Sequence, residues 1–343
     1  MKKKYGFGIV GCGVVSKWHI NAINLIDDAE LIGVFDHNQK SAESFALEHS
    51  CKAFSSYEEM LSSDSVDIIS ICTPSGTHAS LSVEAANRGK NVIVEKPMAI
   101  TGKQMEEITE AVEKNNIQLC VISQQRFADA ITMAKNAIDK GELGELVSGD
   151  VYMKFFRSQE YYDSSAWRGT WAMDGGGAMM NQGIHGIDLL QYLMGNVRSV
   201  MSMCKTLARD IEVEDTSNTL VEFENGAIGV IQASTSTSPG YPRIIQINGT
   251  KGMIEITESS VTRWDINGTK YSKEIVTTEG SCGYNDPTAL RADSHLLQIE
   301  DFVKSLQNGT KPLVDVYEGR KAVEIILCAY ESSKQGKKIY LQQ

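Results

Sequence analysis

Residues 5–20 read YGFGIVGCGVVSKWHI, and this stretch decides the fold. An apolar run, Tyr5 to Val10, leads into Gly11-Cys12-Gly13-Val14-Val15-Ser16 and then into the helix-like HINAINLI. A strand entering a glycine turn that opens a helix gathers backbone amides and a helix N-terminus, and both favour a phosphate. Ser16 stands where the dinucleotide fingerprint has its third glycine, and it is small enough for close helix packing. Taken alone, the spacing is as compatible with an ordinary tight turn as with a cofactor loop.

The surrounding chain supplies the context. A second strand, Glu30 to Phe35, ends in Asp36, about 20 residues past the glycines, where a carboxylate accepts hydrogen bonds from a ribose hydroxyl. An acid there repels a 2′-phosphate, so NAD is expected over NADP, with the neighbouring His37 tempering the repulsion. Short apolar runs then alternate with helical stretches: Asp67 to Cys72 and Thr77 to Arg88, Asn91 to Val94 and Gly102 to Lys114, and finally Ile117 to Ile122. That alternation predicts βαβ units and a doubly wound parallel sheet of Rossmann type over residues 1–123. Ligands of such sheets sit beyond the carboxyl ends of the strands, which puts Thr73, Pro74, Ser75 and His78, and likewise Glu95-Lys96-Pro97, on the same rim as Gly11 and Asp36. Lys96 is then either a functional cation or a surface partner of Glu95, with Pro97 ending the strand.

The pattern changes near Gln124. A helical stretch through Lys140 is followed by alternating segments TLVEFE, AIGVIQAS, RIIQI and GMIEIT, and by the pairs Asn225-Gly226, Asn248-Gly249 and Asn267-Gly268. Asn-Gly between alternating runs signals hairpins, because both residues tolerate positive φ. Residues 124–343 are therefore expected to form an α+β domain with a large, mostly antiparallel open sheet, ending in helices over Leu296 to Leu306 and Glu318 to Ser332. One face of that sheet needs a cover, for which a second copy, in a dimer or tetramer, is the expected partner.

Composition excludes other classes. The chain has 343 residues, 42% hydrophobic and 22% charged, with 33 basic and 44 acidic side chains and a net charge of -11. Its basic residues form no dense block beyond Lys2 to Lys4, which argues against nucleic acid or an anionic membrane as partner. Seven scattered cysteines without metal spacing suit a reducing cytoplasm, and the Asn-Gly-Thr triplets at 248, 267 and 308 read as turns. Neither a signal-peptide cleavage site nor an apolar run of about 18 residues is present.

The other informative stretch, residues 167–195, reads WRGTWAMDGGGAMMNQGIHGIDLLQYLMG. Gly175-Gly176-Gly177 predicts a loop, and Asn181 to Met194 a helix stopped by Gly195. On it Asn181, His185 and Asp188 are spaced to share one side. No further set of Cys, His and carboxylate residues is evident nearby, so a metal is not expected. A lone helical histidine is also compatible with a purely structural, hydrogen-bonded role.

In combination, GCGVVS, CTPSGTHA, VEKPMAIT, the glycine triplet, NQGIHGIDLL and the terminal ESSKQGKKI resemble the Gfo/Idh/MocA oxidoreductases, in that family's order and over essentially the whole chain. The resemblance implies that Lys96 is the lysine of the EKP motif, beside the nicotinamide and the reacting hydroxyl, and that His185 is the acid/base histidine. Many members carry an aspartate four residues before that histidine, where this chain has Asn181. An amide cannot stabilise an imidazolium by charge, although it still orients a substrate. Trp167 and Arg168 resemble a pair that contacts cofactor or substrate, and Ser75 and His78 fit the loop near the nicotinamide ribose. Arg157, Tyr161, Tyr162 and Arg168 would suit a polyhydroxylated ligand, although packing explains the tyrosines equally well. The activity implied is NAD-dependent interconversion of a secondary hydroxyl and a ketone on a sugar, glycoside, uronate, nucleotide sugar or polyol. Recycled-NAD chemistry (epimerase, lyase or glycosidase) and a non-catalytic sensor are the alternatives.

Overall fold

Six parallel strands form the first sheet of the computed structural model, which describes residues 3–266, 269–270 and 293–341. They are β1 (Tyr5–Val10), β2 (Ala29–Phe35), β3 (Lys52–Ala53), β4 (Ile68–Ile71), β5 (Asn91–Val94) and β6 (Leu119–Val121), in the order β3-β2-β1-β4-β5-β6. The order reverses between β1 and β4, so the carboxyl ends of these two strands flank the crevice in which such sheets take ligands. Runs such as Ile68–Ile71, buried at every position, are long enough only for strands covered on both faces.

The chain divides into two units, residues 1–124 with 292–320, and residues 125–291 with 321–343. The sequence pattern predicts a single boundary at 123/124; in the structure residues 292–320 return to the first unit. Helix Asp293–Asn308 brings Ile299, Phe302 and Val303 into the core that holds Phe7, Ile9, Ile20 and Ile23. Its apolar residues recur at helical spacing, so the helix has a face to bury, and that face lies against helix Val14–Leu25.

The second unit is built on a nine-stranded sheet of β7 (Leu146–Lys154), β8 (Val197–Lys205), β9 (Thr216–Phe223), β10 (Ile228–Ser234), β11 (Ile244–Gly249), β12 (Gly252–Thr257), β13 (Ser260–Ile266), β14 (Thr269–Lys270) and β15 (Ile339–Tyr340). All neighbours are antiparallel except β7 and β10. Asn225-Gly226 makes the β9–β10 turn, with Gly226 at φ 87°. Asn248-Gly249 does not make its turn: Gly249 pairs with Gly252, so the hairpin closes on Thr250 and Lys251. The third pair, Asn267-Gly268, and Cys282 lie outside the described residues. Helix Ile184–Met194 packs on β7, where Met194 fills the space above Gly149. None of the six described cysteines is in a disulfide, and among the described residues no helix is long and apolar enough to cross a membrane.

Candidate active site

In the first unit the glycine turn has the shape a dinucleotide needs. Gly11 sits at φ 93°, and a Cβ there would lie 2.8 Å from the Cys72 carbonyl oxygen, so only glycine fits. Helix Val14–Leu25 starts at Gly13 without a side-chain cap, which leaves its first amides for an acceptor such as pyrophosphate. Asp36 follows β2 and ties this turn down: one carboxylate oxygen accepts from Cys12 N at 2.9 Å, the other from Asn38 N at 2.8 Å. An ionised carboxylate has room for further donors, so Asp36 can serve the loop and a ribose together. His37 Nδ1 lies 3.1 Å from Asp36 and is fully in solvent.

His78 does not point outward as a ligand-binding side chain would. It is buried, with Nδ1 2.7 Å from Pro97 O and Nε2 2.7 Å from Thr73 O, so the ring clamps the two loops that follow β4 and β5. Satisfying both carbonyls takes two N–H groups, which only the imidazolium has, while burial opposes that charge. Thr73 and Thr77 are joined by their hydroxyls at 2.7 Å, and Ser75 is buried in the short helical turn Ser75–Thr77. Lys96 stands two residues past the end of β5, half-buried, with a cis bond to Pro97.

The Glu95 carboxylate turns inward. Its Oε1 lies 3.1 Å from His19 Nε2 and 3.4 Å from His295 Nε2, and its Oε2 accepts from Lys96 N at 3.2 Å. Burial pushes this carboxyl up, but the two imidazoles hold it well below the usual range. His19 Nε2 faces the carboxylate, to which it donates when it carries the proton, and Nδ1 lies 2.8 Å from Ser70 Oγ, which donates to it when the ring is neutral. The two histidines and Glu95 are the group among the described residues whose ligand-type atoms gather within 4.8 Å. Hydrogen bonds to one carboxylate account for that spacing. Sequence reading missed His19 and His295, which belong to segments far apart in the chain.

In the second unit the helix of Asn181 and His185 begins differently from expectation. A π-helical turn, Ala178–Gly183, precedes α-helix Ile184–Met194, so Asn181 and His185 are not one α-turn apart on a common stripe. Asp188 leaves the site altogether, as the partner of Arg126. Asn181 Nδ2 donates to the buried Asp174 carboxylate, and Asn181 Oδ1 accepts from Gln182 Nε2 at 2.8 Å. A carboxylate therefore stands one residue behind the amide that replaces the family's aspartate. Gln182, not singled out from sequence, is central: its Oε1 accepts from Arg157 Nη2 at 2.8 Å and its Nε2 donates to Tyr161 Oη at 2.9 Å. Arg168 donates to the same Tyr161 hydroxyl and stacks on the rings of Tyr161 and Trp167, 4.3 and 4.8 Å from their centres. Tyr162 is a core residue, its hydroxyl 2.8 Å from Thr235 Oγ1.

Family models match both units: the oxidoreductase family, NAD-binding Rossmann fold over residues 5–123, and the GFO/IDH/MocA C-terminal domain over residues 131–255. The chain belongs to the Gfo/Idh/MocA oxidoreductases. Its first domain is the family's NAD-binding domain, and the uncapped helix start, Gly11 and Asp36 fit that cofactor. The chain is 32% identical to the WlbA dehydrogenase of Bordetella pertussis, whose crystal structure holds NADH and UDP-GlcNAcA, with a TM-score of 0.88 and coverage of 99% of this chain and 100% of that one. The WlbA dehydrogenase of Chromobacterium violaceum, in complex with the same two molecules, is also 32% identical, with a TM-score of 0.87 over 99% and 96%. The scyllo-inositol 2-dehydrogenase (NAD(+)) of Bacillus subtilis is 25% identical over 99% of this chain and 97% of its own.

Proposed function

We propose that this Gfo/Idh/MocA dehydrogenase oxidises a secondary hydroxyl of an anionic sugar derivative to a ketone, with a nucleotide-linked uronate as the first substrate to test. The observation that carries the reading is Arg168, held between Tyr161 and Trp167 on the segment before the Asn181–His185 helix, in a chain of net charge -11. A stacked guanidinium is suited to recognise carboxylate or phosphate. The likeness to the two WlbA enzymes supports the same class.

NAD, when bound, supplies the hydride acceptor. The remaining work falls to side chains. Lys96 favours the developing alkoxide by charge, and His185, whose ordinary pKa lies near neutrality, takes the hydroxyl proton. Asn181 and Gln182, linked to each other and to Tyr161, offer hydrogen bonds that orient the sugar. In the assembly we propose, a second copy covers the open face of the nine-stranded sheet, where Met201, Leu220 and Val230 form one cross-strand row beside the exposed Met203 and Ile228.

The test is nicotinamide reduction by the purified protein with nucleotide-linked uronates, free uronates, neutral hexoses and inositols. Turnover of the anionic members above the neutral ones supports the reading. Turnover of inositols alone sinks it.

A further inference from the structure

Glu214, in the loop between β8 and β9, is almost wholly buried and is one of four acids in that loop, with Asp210, Glu212 and Asp215. In the structure it receives three successive amides at the start of the helical segment that carries Asn181 and His185. Gly177 N donates to its Oε2 at 3.0 Å, Ala178 N to its backbone carbonyl at 2.9 Å, and Met179 N to its Oε1 at 2.8 Å. Tyr330, on helix Val316–Gln335, donates its hydroxyl to Oε1 at 2.9 Å. A helix leaves its first amides unsatisfied, and Gly177 has no side chain with which to cap them. Glu214 caps them from the β8–β9 loop, with the charge sign that a helix N-terminus favours.

The glycine triplet is shaped to this clamp. A Cβ on Gly177 would fall 1.9 Å from the Glu214 carbonyl oxygen, and one on Gly176 would fall 2.1 Å from the Tyr330 hydroxyl. The backbone approaches Glu214 and Tyr330 as closely as glycine allows, and the π-helical turn with Asn181 and Gln182 starts at the clamped amides.

We propose that Glu214 is a positioning residue for the reaction: its ionised carboxylate, oriented by Tyr330, fixes the start of this segment and so the placement of Asn181, Gln182 and His185. The proposal rests on the reading that these three meet the substrate. All its donors require acceptors, so protonating Glu214 would set an O–H against N–H groups and loosen the clamp. Burial pushes the carboxyl up to about 7, which brings that event into the working range. Among the described residues the titratable groups that interact with it are Tyr330, Cys204 and Tyr162, with Asp174 beyond the two tyrosines, and none of these is a cation that would oppose the rise.

The experiment compares Glu214→Gln, Glu214→Asp and Tyr330→Phe with the parent protein by three readouts: hydrogen–deuterium exchange, NAD titration, and the pH profile of kcat/KM for a nucleotide-linked uronate. In Glu214→Gln, exchange should rise in the peptide spanning 175–185 and stay unchanged in the first unit. NAD affinity should hold within about twofold, and kcat/KM should fall about 10- to 100-fold, the loss expected for a buried donor left unmade. Glu214→Asp should recover part of that loss. Tyr330→Phe removes a donor that favours the carboxylate, so the acid limb of the profile should move to higher pH. Wild-type exchange and kcat/KM in Glu214→Gln overturn the proposal, as does an acid limb unmoved in Tyr330→Phe. A fall of NAD affinity and melting temperature in step with activity overturns it too, because that is general unfolding. If the parent turns over no sugar, the dehydrogenase reading fails instead, and the exchange data still decide whether the clamp exists.

Discussion

Arg126 and Asp188 meet as a fork on a carboxylate, Nε 2.9 Å from Oδ2 and Nη2 2.6 Å from Oδ1, with both side chains buried. The guanidinium also lies 4.6 Å from the centre of the Tyr192 ring. Such a pair is costly to assemble and costlier to break, since removing one partner strands the other charge. Asp188→Ala should destabilise the protein by about 3–5 kcal/mol in urea unfolding, whereas Arg126→Met with Asp188→Leu should recover most of that. Equal losses in the single and double variants would mean that packing, not charge, dominates.

Lys96→Met keeps the length of the side chain and removes its charge. On the role proposed for Lys96, we expect kcat to drop by at least about a hundredfold with NAD affinity within a few fold, because the alkoxide would lose its cation while the phosphates would be held elsewhere. Stopped-flow turnover alongside NAD titration reads both. Parallel loss of the two would assign Lys96 to cofactor binding.

Asp36 joins the glycine turn to the end of β2 through Cys12 N. If Asp36 reads the ribose, Asp36→Ala should weaken NAD about tenfold and narrow the gap to NADP, because a repelling charge and a hydroxyl acceptor would leave together. Asp36→Asn retains an acceptor for the turn. Relaxed cofactor choice with NAD binding partly kept in that variant would separate charge from loop geometry, and unchanged choice in both would point to another reader of the ribose.

Asn181→Asp would restore the residue common in the family, but here it faces the buried Asp174 carboxylate. Two carboxylates that close cannot both ionise easily, so one is raised. The acid limb of kcat/KM should therefore move to higher pH and the melting temperature should fall. Asp174→Asn combined with Asn181→Asp should reverse both changes, and a single variant identical to the parent would show that residues 174 and 181 are not coupled.

Burial holds the His19 imidazole below its usual range, against the pull of Glu95. The unfolded chain takes up this proton near pH 6.5 and the folded chain only at lower pH. Stability from the neutral ring is thus complete above about 6.5 and declines as the pH falls through that window. Thermal melts of His19→Asn between about pH 7 and 5 should show a shallower decline than the parent. A steeper one would mean that His19 is protonated in the fold.

What could be read in advance follows the range of the forces involved. The parallel sheet was legible because each βαβ unit announces itself locally, and Gly11 and Asp36 lie at strand ends that topology alone brings together. Asn225-Gly226 was legible for the same reason, whereas Asn248-Gly249 was absorbed into its strands because pairing to Gly252 outweighed turn preference. The π-helical turn was not legible: it shifts the angular spacing of Asn181 relative to His185 without any change in hydrophobic pattern. Nor were Glu95's two histidines, Asp174 or Glu214, whose significance depends on neighbours distant in sequence. The signal that could have flagged Glu214 is the glycine triplet, which asks what backbone or side chain comes so close.

The return of residues 292–320 to the first unit means that the nucleotide-binding half is not encoded in one piece. A protein truncated after residue 123 would leave Ile20 and Ile23 facing water where Ile299, Phe302 and Val303 now cover them, and would lose His295 from Glu95. Exchange of cofactor domains between relatives therefore has to splice two segments at once, and a graft that moves the first alone should yield an aggregating product whatever its glycine turn reads.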